Sequence, residues 1–137
     1  MSSQKQKDLI FGEAKEKAIH AIINSAFKCK TEKLPPFHPY DFKDLTSNTY
    51  YEYKGRRNDY NKYPTTMIGQ NKIDFINKYP NNDYVFIFGF SDGNYYIKYN
   101  QELFDNFETK TGGRVDRGRP EIKQYLYIPI EHLTKIN

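Results

Sequence analysis

The chain has 137 residues, a formal net charge of +4 and a single cysteine, Cys29. That length suits one domain, and one cysteine excludes an internal disulfide framework and a cysteine-based zinc site. His20, His38 and His132 show no metal-ligand spacing, and no apolar run approaches the ~20 residues of a membrane span.

Met1–Lys7 leads into no signal-like apolar segment, so a soluble, intracellular protein with no membrane partner is expected. Aromatic residues make up 17%, with Tyr 13 and Phe 10. Rings of that number can close a core in a chain otherwise poor in aliphatics.

Phe11, Ala14, Ala18, Ile22 and Ala26, widened by Ile19 and Ile23, recur at spacings of three and four. They predict a first helix over 8–28. Glu13 lies opposite that stripe, four residues before Lys17, a favourable helix pair. Glu16 lies at its edge, from which a carboxylate could look along a sheet surface. Pro35, Pro36 and Pro39 then forbid helix and favour an extended entry.

Residues 40–45 alternate as a short strand carrying Asp41 and Asp44. Thr46-Ser47-Asn48 reads as a turn, and 49–55 as the returning strand. Period-2 alternation puts Glu52 and Lys54 on one face, with Tyr51 and Tyr53 on the other. A loop centred on Ser47-Asn48 sets Asp44 opposite about Tyr51 and Asp41 opposite about Lys54. One carboxylate from each strand can then reach a common ion. Taken alone, Glu52-x-Lys54 equally describes an exposed strand with an ion pair.

Thr65-Thr66 offers an N-cap for a second helix over about 67–78, ended by Pro80–Asp83. Tyr84–Phe90 is almost unbroken apolar, as in a strand buried on both faces, and is expected at the sheet centre. Ser91–Asn94 is a hairpin turn to a strand at 95–99, in which Asp92 fits as a turn residue. A helical turn is expected around Leu103, Phe104 and Phe107. The basic segment 109–124 contains a flexible loop over 112–120. A last strand, 125–130, ends at Pro129, which cannot donate to a ladder. The expected architecture is α/β, bordering on α+β: a single domain with one mixed sheet flanked by helices.

The charge is uneven. Residues 53–63 (Lys54, Arg56, Arg57 and Lys62 against Asp59) sum to +3, and 109–124 (with Arg114, Arg117 and Arg119) also sum to +3. The remainder is therefore acidic. Basicity gathered into two segments is the footprint of a polyanion-binding surface, and arginines interleaved with tyrosines suit phosphate and base.

The acid in Tyr40-Asp41-Phe42, the Glu52-Tyr53-Lys54 strand, the following Arg56-Arg57 and the preceding helix with Gly12 and Glu16 resemble the PD-(D/E)XK nuclease-like superfamily. The restriction-endonuclease-like core would cover roughly 8–100, in the style of small phage or large-DNA-virus members. The resemblance implies a metal-dependent endonuclease acting on DNA. In it Asp41, Glu52 and the Tyr53 carbonyl hold Mg2+ or Mn2+, and Lys54 serves the attacking water or the phosphate. Glu16, or alternatively Glu13, matches a helix acid, and Gln70 a helix glutamine. Tyr40, not a proline, directly precedes Asp41, and the spacer to Glu52 is short, so Asp44 stays open as the first ligand. Two carboxylates suffice for Mg2+, which prefers hard oxygen ligands and retains waters. Duplex cleavage would call for a homodimer. A nuclease-fold protein that binds or packages DNA without cutting it, in a host compartment or a virion, is the alternative. A protein-interaction module presenting its tyrosines is a third reading.

Overall fold

The computed structural model describes residues 17–114 and 121–137. Helix α1 is described over 17–26. There follow β1 (Thr31–Lys33), β2 (Phe42–Asp44), β3 (Thr49–Gly55), β4 (Thr65–Gly69), α2 (Gln70–Lys78), β5 (Asp83–Phe90) and β6 (Gly93–Lys98). The chain closes with α3 (Gln101–Phe104), β7 (Glu108–Arg114), β8 (Glu121–Pro129), a 3-10 turn (Ile130–His132) and β9 (Thr134–Lys135).

Two sheets form where one was expected. The larger has the order β1-β2-β3-β5-β6-β9, and the smaller β4-β8-β7. β3 runs parallel to β5 over seven residue pairs, Thr49 opposite Asp83 to Gly55 opposite Gly89. Parallel neighbours need a crossover, and β4 with α2 supplies it. The other contacts of the large sheet are antiparallel. The mixed sheet with helices on its faces thus has the α/β character expected, and β5 lies inside it, as its unbroken apolar run requires.

The faces of the large sheet divide the core. On one, Phe86, Phe88 and Ile97 pack with Ile68 of β4, Ile76 of α2, Phe104 of α3 and Ile128 of β8. On the other, Tyr51, Val85 and Ile87 pack under Ile19 and Ile23 of α1. Phe86 and Phe88 are completely buried, and each such side chain contributes roughly 1.5–3 kcal/mol. That burial helps offset the cost of the charged groups held beside it. Gly89 leaves room for the Tyr53 ring, which lies where a Cβ would stand.

Four local expectations are corrected. Thr65-Thr66 does not cap a helix: residues 65–69 alternate in burial and pair with β8, so α2 begins only at Gln70. The β-branched pair and Ile68 gain a ladder and a buried face there. The basic segment is largely a hairpin, with Glu108–Arg114 against Glu121–Tyr127 in continuous register. Its glycines weaken side-chain packing but not backbone pairing, and Gly112 gives way to the Tyr125 ring. Residues 115–120, including Arg117 and Arg119, lie outside the described residues. The final strand therefore starts at Glu121 and ends at Pro129, earlier at both ends than expected.

The fourth correction concerns β2 and β3. Phe42 pairs with Tyr51 and Lys43 with Tyr50, a register two residues from the expected one. Asp44 tightens the loop, accepting the Thr46 N–H at 2.9 Å, the Thr46 hydroxyl at 3.0 Å and the Ser47 hydroxyl at 2.9 Å. A side chain that closes its own turn draws the loop centre back towards Thr46. Register in a hairpin follows the turn, so Asp41 moves from opposite Lys54 to beside Glu52 and Tyr53.

Candidate active site

Asp41 stands where β2 has run out but β3 continues. Its N–H donates to the Tyr51 carbonyl at 3.0 Å, and its own carbonyl accepts from Leu34 N at 2.8 Å. One residue further along, the Tyr53 N–H has no β2 partner, and Asp41 Oδ2 accepts it at 2.8 Å. The N–H and C=O of one strand residue point to the same edge. The Tyr53 carbonyl therefore faces the edge occupied by the Asp41 carboxylate. The Tyr53 ring serves the opposite face, among the side chains under α1.

Glu52 projects to the face carrying Phe86 and is 3% exposed. Its carboxyl and that of Asp41 are within hydrogen-bonding reach of each other. Burial, the contact with Asp41 and the charge of Asp41 push its pKa up to about 8, against the pull of Lys72. Desolvation disfavours the ionised form, and a neighbouring carboxylate disfavours it further.

Lys72, two residues into α2, completes the cluster. Its Nζ lies 2.5 Å from Glu52 Oε2, and it donates to the Pro39 carbonyl. The Tyr40 hydroxyl donates to the Lys72 carbonyl at 3.0 Å, fixing this turn of α2 over the site. Glu52 Oε2 nevertheless accepts no directed hydrogen bond among the described residues. Lys72 was not singled out from the sequence. The signal was available: a lysine four residues before Ile76, on the stripe that α2 buries.

The remaining sequence candidates separate. Lys54 is half-buried, shares the Glu52 face by alternation, and makes no ion pair or hydrogen bond among the described residues. Arg56 is turned inward rather than outward. Nε donates to Thr66 Oγ1 at 3.2 Å and Nη2 to the Met67 carbonyl at 2.7 Å, clamping β4 to the end of β3. Arg57 and Lys62 are exposed. Gln70 opens α2 and donates to Asp74 at 3.3 Å. Asp44 is occupied by its turn, whose donors hold its carboxyl below the usual range. Arg114 ends β7 opposite Glu121. Glu13 and Glu16 lie outside the described residues; the described part of α1 covers the face opposite Glu52.

A comparison with protein families matches residues 10–136 to a family described as phage putative PDDEXK endonuclease. The chain belongs to this family. No curated protein and no solved structure matches it. Asp41 precedes β2, and Glu52 and Lys54 lie on β3. Nucleases of this kind use divalent metal ions, and the donors fit one. Two carboxylates meet, a buried oxygen lacks a donated hydrogen, and a main-chain carbonyl faces the same edge. Hard oxygens of this number suit Mg2+ or Mn2+, which complete their shells with water and phosphate. Among the described residues no three His, Cys, Asp or Glu side chains converge, so the protein ligands would be few. No described helix is long and apolar enough to cross a membrane.

Proposed function

We propose that the protein is an endonuclease hydrolysing DNA phosphodiester bonds with a divalent ion held by Asp41, Glu52 and the Tyr53 carbonyl. The observation that carries this reading is the contact between the half-buried Asp41 carboxyl and the buried Glu52 carboxyl. Two carboxyls in contact, one of them out of water, call for a cation, and they are a costly arrangement without one. Bound Mg2+ or Mn2+ would lower the pKa of a coordinated water and offset charge gathering on the phosphoryl oxygens.

The chain's own groups do the rest. Asp41 holds its orientation through the Tyr53 N–H, and Glu52 through burial against Phe86. Lys54, two residues further on the same face, presents its ammonium to a phosphate oxygen or to the attacking water. Arg57 and Lys62, with Arg114, Arg117 and Arg119, serve the phosphate backbone without reading sequence. Glu16, which lies outside the described residues, is proposed as an auxiliary acid, and a homodimer as the form that cuts both strands of a duplex.

The test is cleavage of supercoiled plasmid by purified protein in Mg2+ or Mn2+. Wild type should nick the plasmid. Glu52→Gln and Lys54→Met should not, while keeping their circular dichroism. Cutting that persists in both variants would overturn the assignment.

One observation favours a second reading, a nuclease fold that binds DNA without cutting it. Lys72 already places an ammonium against Glu52, and a permanent internal cation would make a metal unnecessary. Calorimetry separates the two: Mn2+ binding abolished by Asp41→Asn supports the nuclease, and no metal binding in wild type supports the binder.

A further inference from the structure

Beyond Lys54, the face that carries Glu52 opens into a groove of ≈ 380 Å³ with walls that include Tyr60, Tyr63, Met67, Phe90 and Tyr127, with Arg56 at its end. It joins the two sheets, since Arg56 follows β3, Met67 lies in β4 and Tyr127 in β8. Apolar surface stands open in it: Tyr63 is 54% exposed and Met67 39%. Tyr60 is held face to face on Tyr95, with ring centroids 4.4 Å apart, so that wall is rigid.

Cations rim the groove. Lys62 Nζ lies 5.7 Å from the Tyr63 ring centroid, and the Arg56 guanidinium 5.6 Å from that of Phe88. Lys110, ion-paired with Glu108 at 3.4 Å, lies 5.5 Å from that of Tyr127. Among the described residues no carboxylate lines the groove. The acids of the adjoining turns are engaged by protein donors: Asp59 accepts from Ser91 Oγ at 2.6 Å, and Asp92 from Tyr60 N at 2.9 Å. Three of the five guanidinium N–H groups of Arg56 have protein partners, which leaves two for a ligand. Aromatic walls inside a cationic rim suit a ligand with a flat π-face attached to an anionic chain. A stacked duplex offers its base faces to neither wall, whereas an unstacked strand does.

We propose that this groove takes an unpaired base of the nucleic-acid strand whose phosphate lies at Glu52 and Lys54, making single-stranded or locally opened nucleic acid the favoured substrate. The inference rests on the nuclease reading for the polymer, but not on cleavage. Arg56 follows the end of β3, four residues after Glu52 and within about 14 Å of it along the chain, so one nucleic-acid strand can engage both.

The test measures binding by fluorescence anisotropy in chelator, with labelled oligo(dT) and a blunt duplex as probes. Wild type should bind oligo(dT) more tightly than the duplex. Tyr63→Ala should weaken oligo(dT) binding by roughly 5- to 100-fold, the range of one lost stacking contact. It should leave duplex binding within about two-fold, because a stacked duplex presents no base face to Tyr63 and Lys62 remains in place. Tyr63→Phe should bind like wild type, and so should Phe37→Ala, which removes an aromatic ring 88% exposed elsewhere. Oligo(dT) carrying abasic sites should bind wild type as weakly as oligo(dT) binds Tyr63→Ala. Oligo(dT) binding unchanged in Tyr63→Ala, or equal binding of abasic and intact strands, would overturn the proposal. If oligo(dT) binding depends on Tyr63 but Mg2+ and Mn2+ support no cutting, the groove stands and the nuclease reading fails. If plasmid is cut and Tyr63 has no effect, only the groove fails.

Discussion

Lys72 Nζ and Glu52 Oε2 meet 2.5 Å apart beneath α2, in a cluster that also contains the Asp41 carboxyl. Two acids and one ammonium meet there, Glu52 and Lys72 buried and Asp41 half-buried. The lysine is anchored from behind by Pro39 and Tyr40, so its position owes as much to α2 as to the charge it meets. In the metal-free protein it serves as the counter-ion of the site.

Removing that counter-ion should make the protein depend on metal. Lys72→Met is expected to lower the metal-free Tm. The loss should be smaller than the ~3–5 kcal/mol typical of a broken buried pair, because Glu52 can protonate instead. Added Mn2+ should raise the Tm of Lys72→Met more than that of wild type, since the ion then meets no competing ammonium. Differential scanning fluorimetry with and without Mn2+ measures both effects. Equal metal shifts in the two proteins would remove Lys72 from the site.

The pH dependence follows from Glu52. Its folded pKa, about 8, lies above the ordinary 4.5. The folded state therefore binds a proton that the unfolded state has released between those values. Stability is fully present below about pH 4.5 and declines as pH rises towards 8, by at most ~1.4 kcal/mol per pH unit. Urea melts of chelated protein should show this decline. Glu52→Gln should flatten it, because a neutral amide pays no such penalty. Metal binding below pH 8 should release a proton, visible as buffer-dependent heat in calorimetry.

The strands that carry the site were readable because they rest on short-range patterns, whereas the parallel pairing of β3 with β5 was not. Seven residues of β3 and an apolar β5 announced themselves by alternation and by an unbroken run. The register was not readable, because it depends on how the Asp44 carboxyl folds onto Thr46 and Ser47, a matter of hydrogen-bond geometry. β4 was hidden by chemistry common to caps and strands: Thr-Thr serves either, and only pairing with β8, some sixty residues away, decides it. The inward turn of Arg56 has the same origin, since its acceptors lie on β4. Lys72 was overlooked because a lysine on a helix is ordinarily solvated, and its partner is distant in sequence.

Asp41 and Asp44 should separate cleanly. Asp41→Asn keeps an acceptor for the Tyr53 N–H but loses its charge, so the fold should survive while Mn2+ binding and cleavage are lost. Asp44→Ala removes three turn hydrogen bonds. It should lower stability by roughly 1–3 kcal/mol and leave metal affinity within about two-fold, since its carboxyl is not in the metal pair. Calorimetry paired with thermal melts distinguishes them, and the reverse pattern would make Asp44 the ligand.

Arg56 and Arg57 are neighbours with opposite expected behaviour. Arg56 links Gly55, Thr66 and Met67, so Arg56→Ala should loosen β4 from β3 and lower the Tm. Arg57 is exposed, and Arg57→Ala should change stability by no more than about 0.5 kcal/mol. If Arg57 contacts a phosphate, its loss should reduce the salt dependence of duplex binding by about one counter-ion, a change of ~0.9 in the slope of log K against log salt. Binding measured over a salt series with both variants tests this. An Arg57→Ala slope equal to that of wild type would place the backbone contact elsewhere on the basic surface.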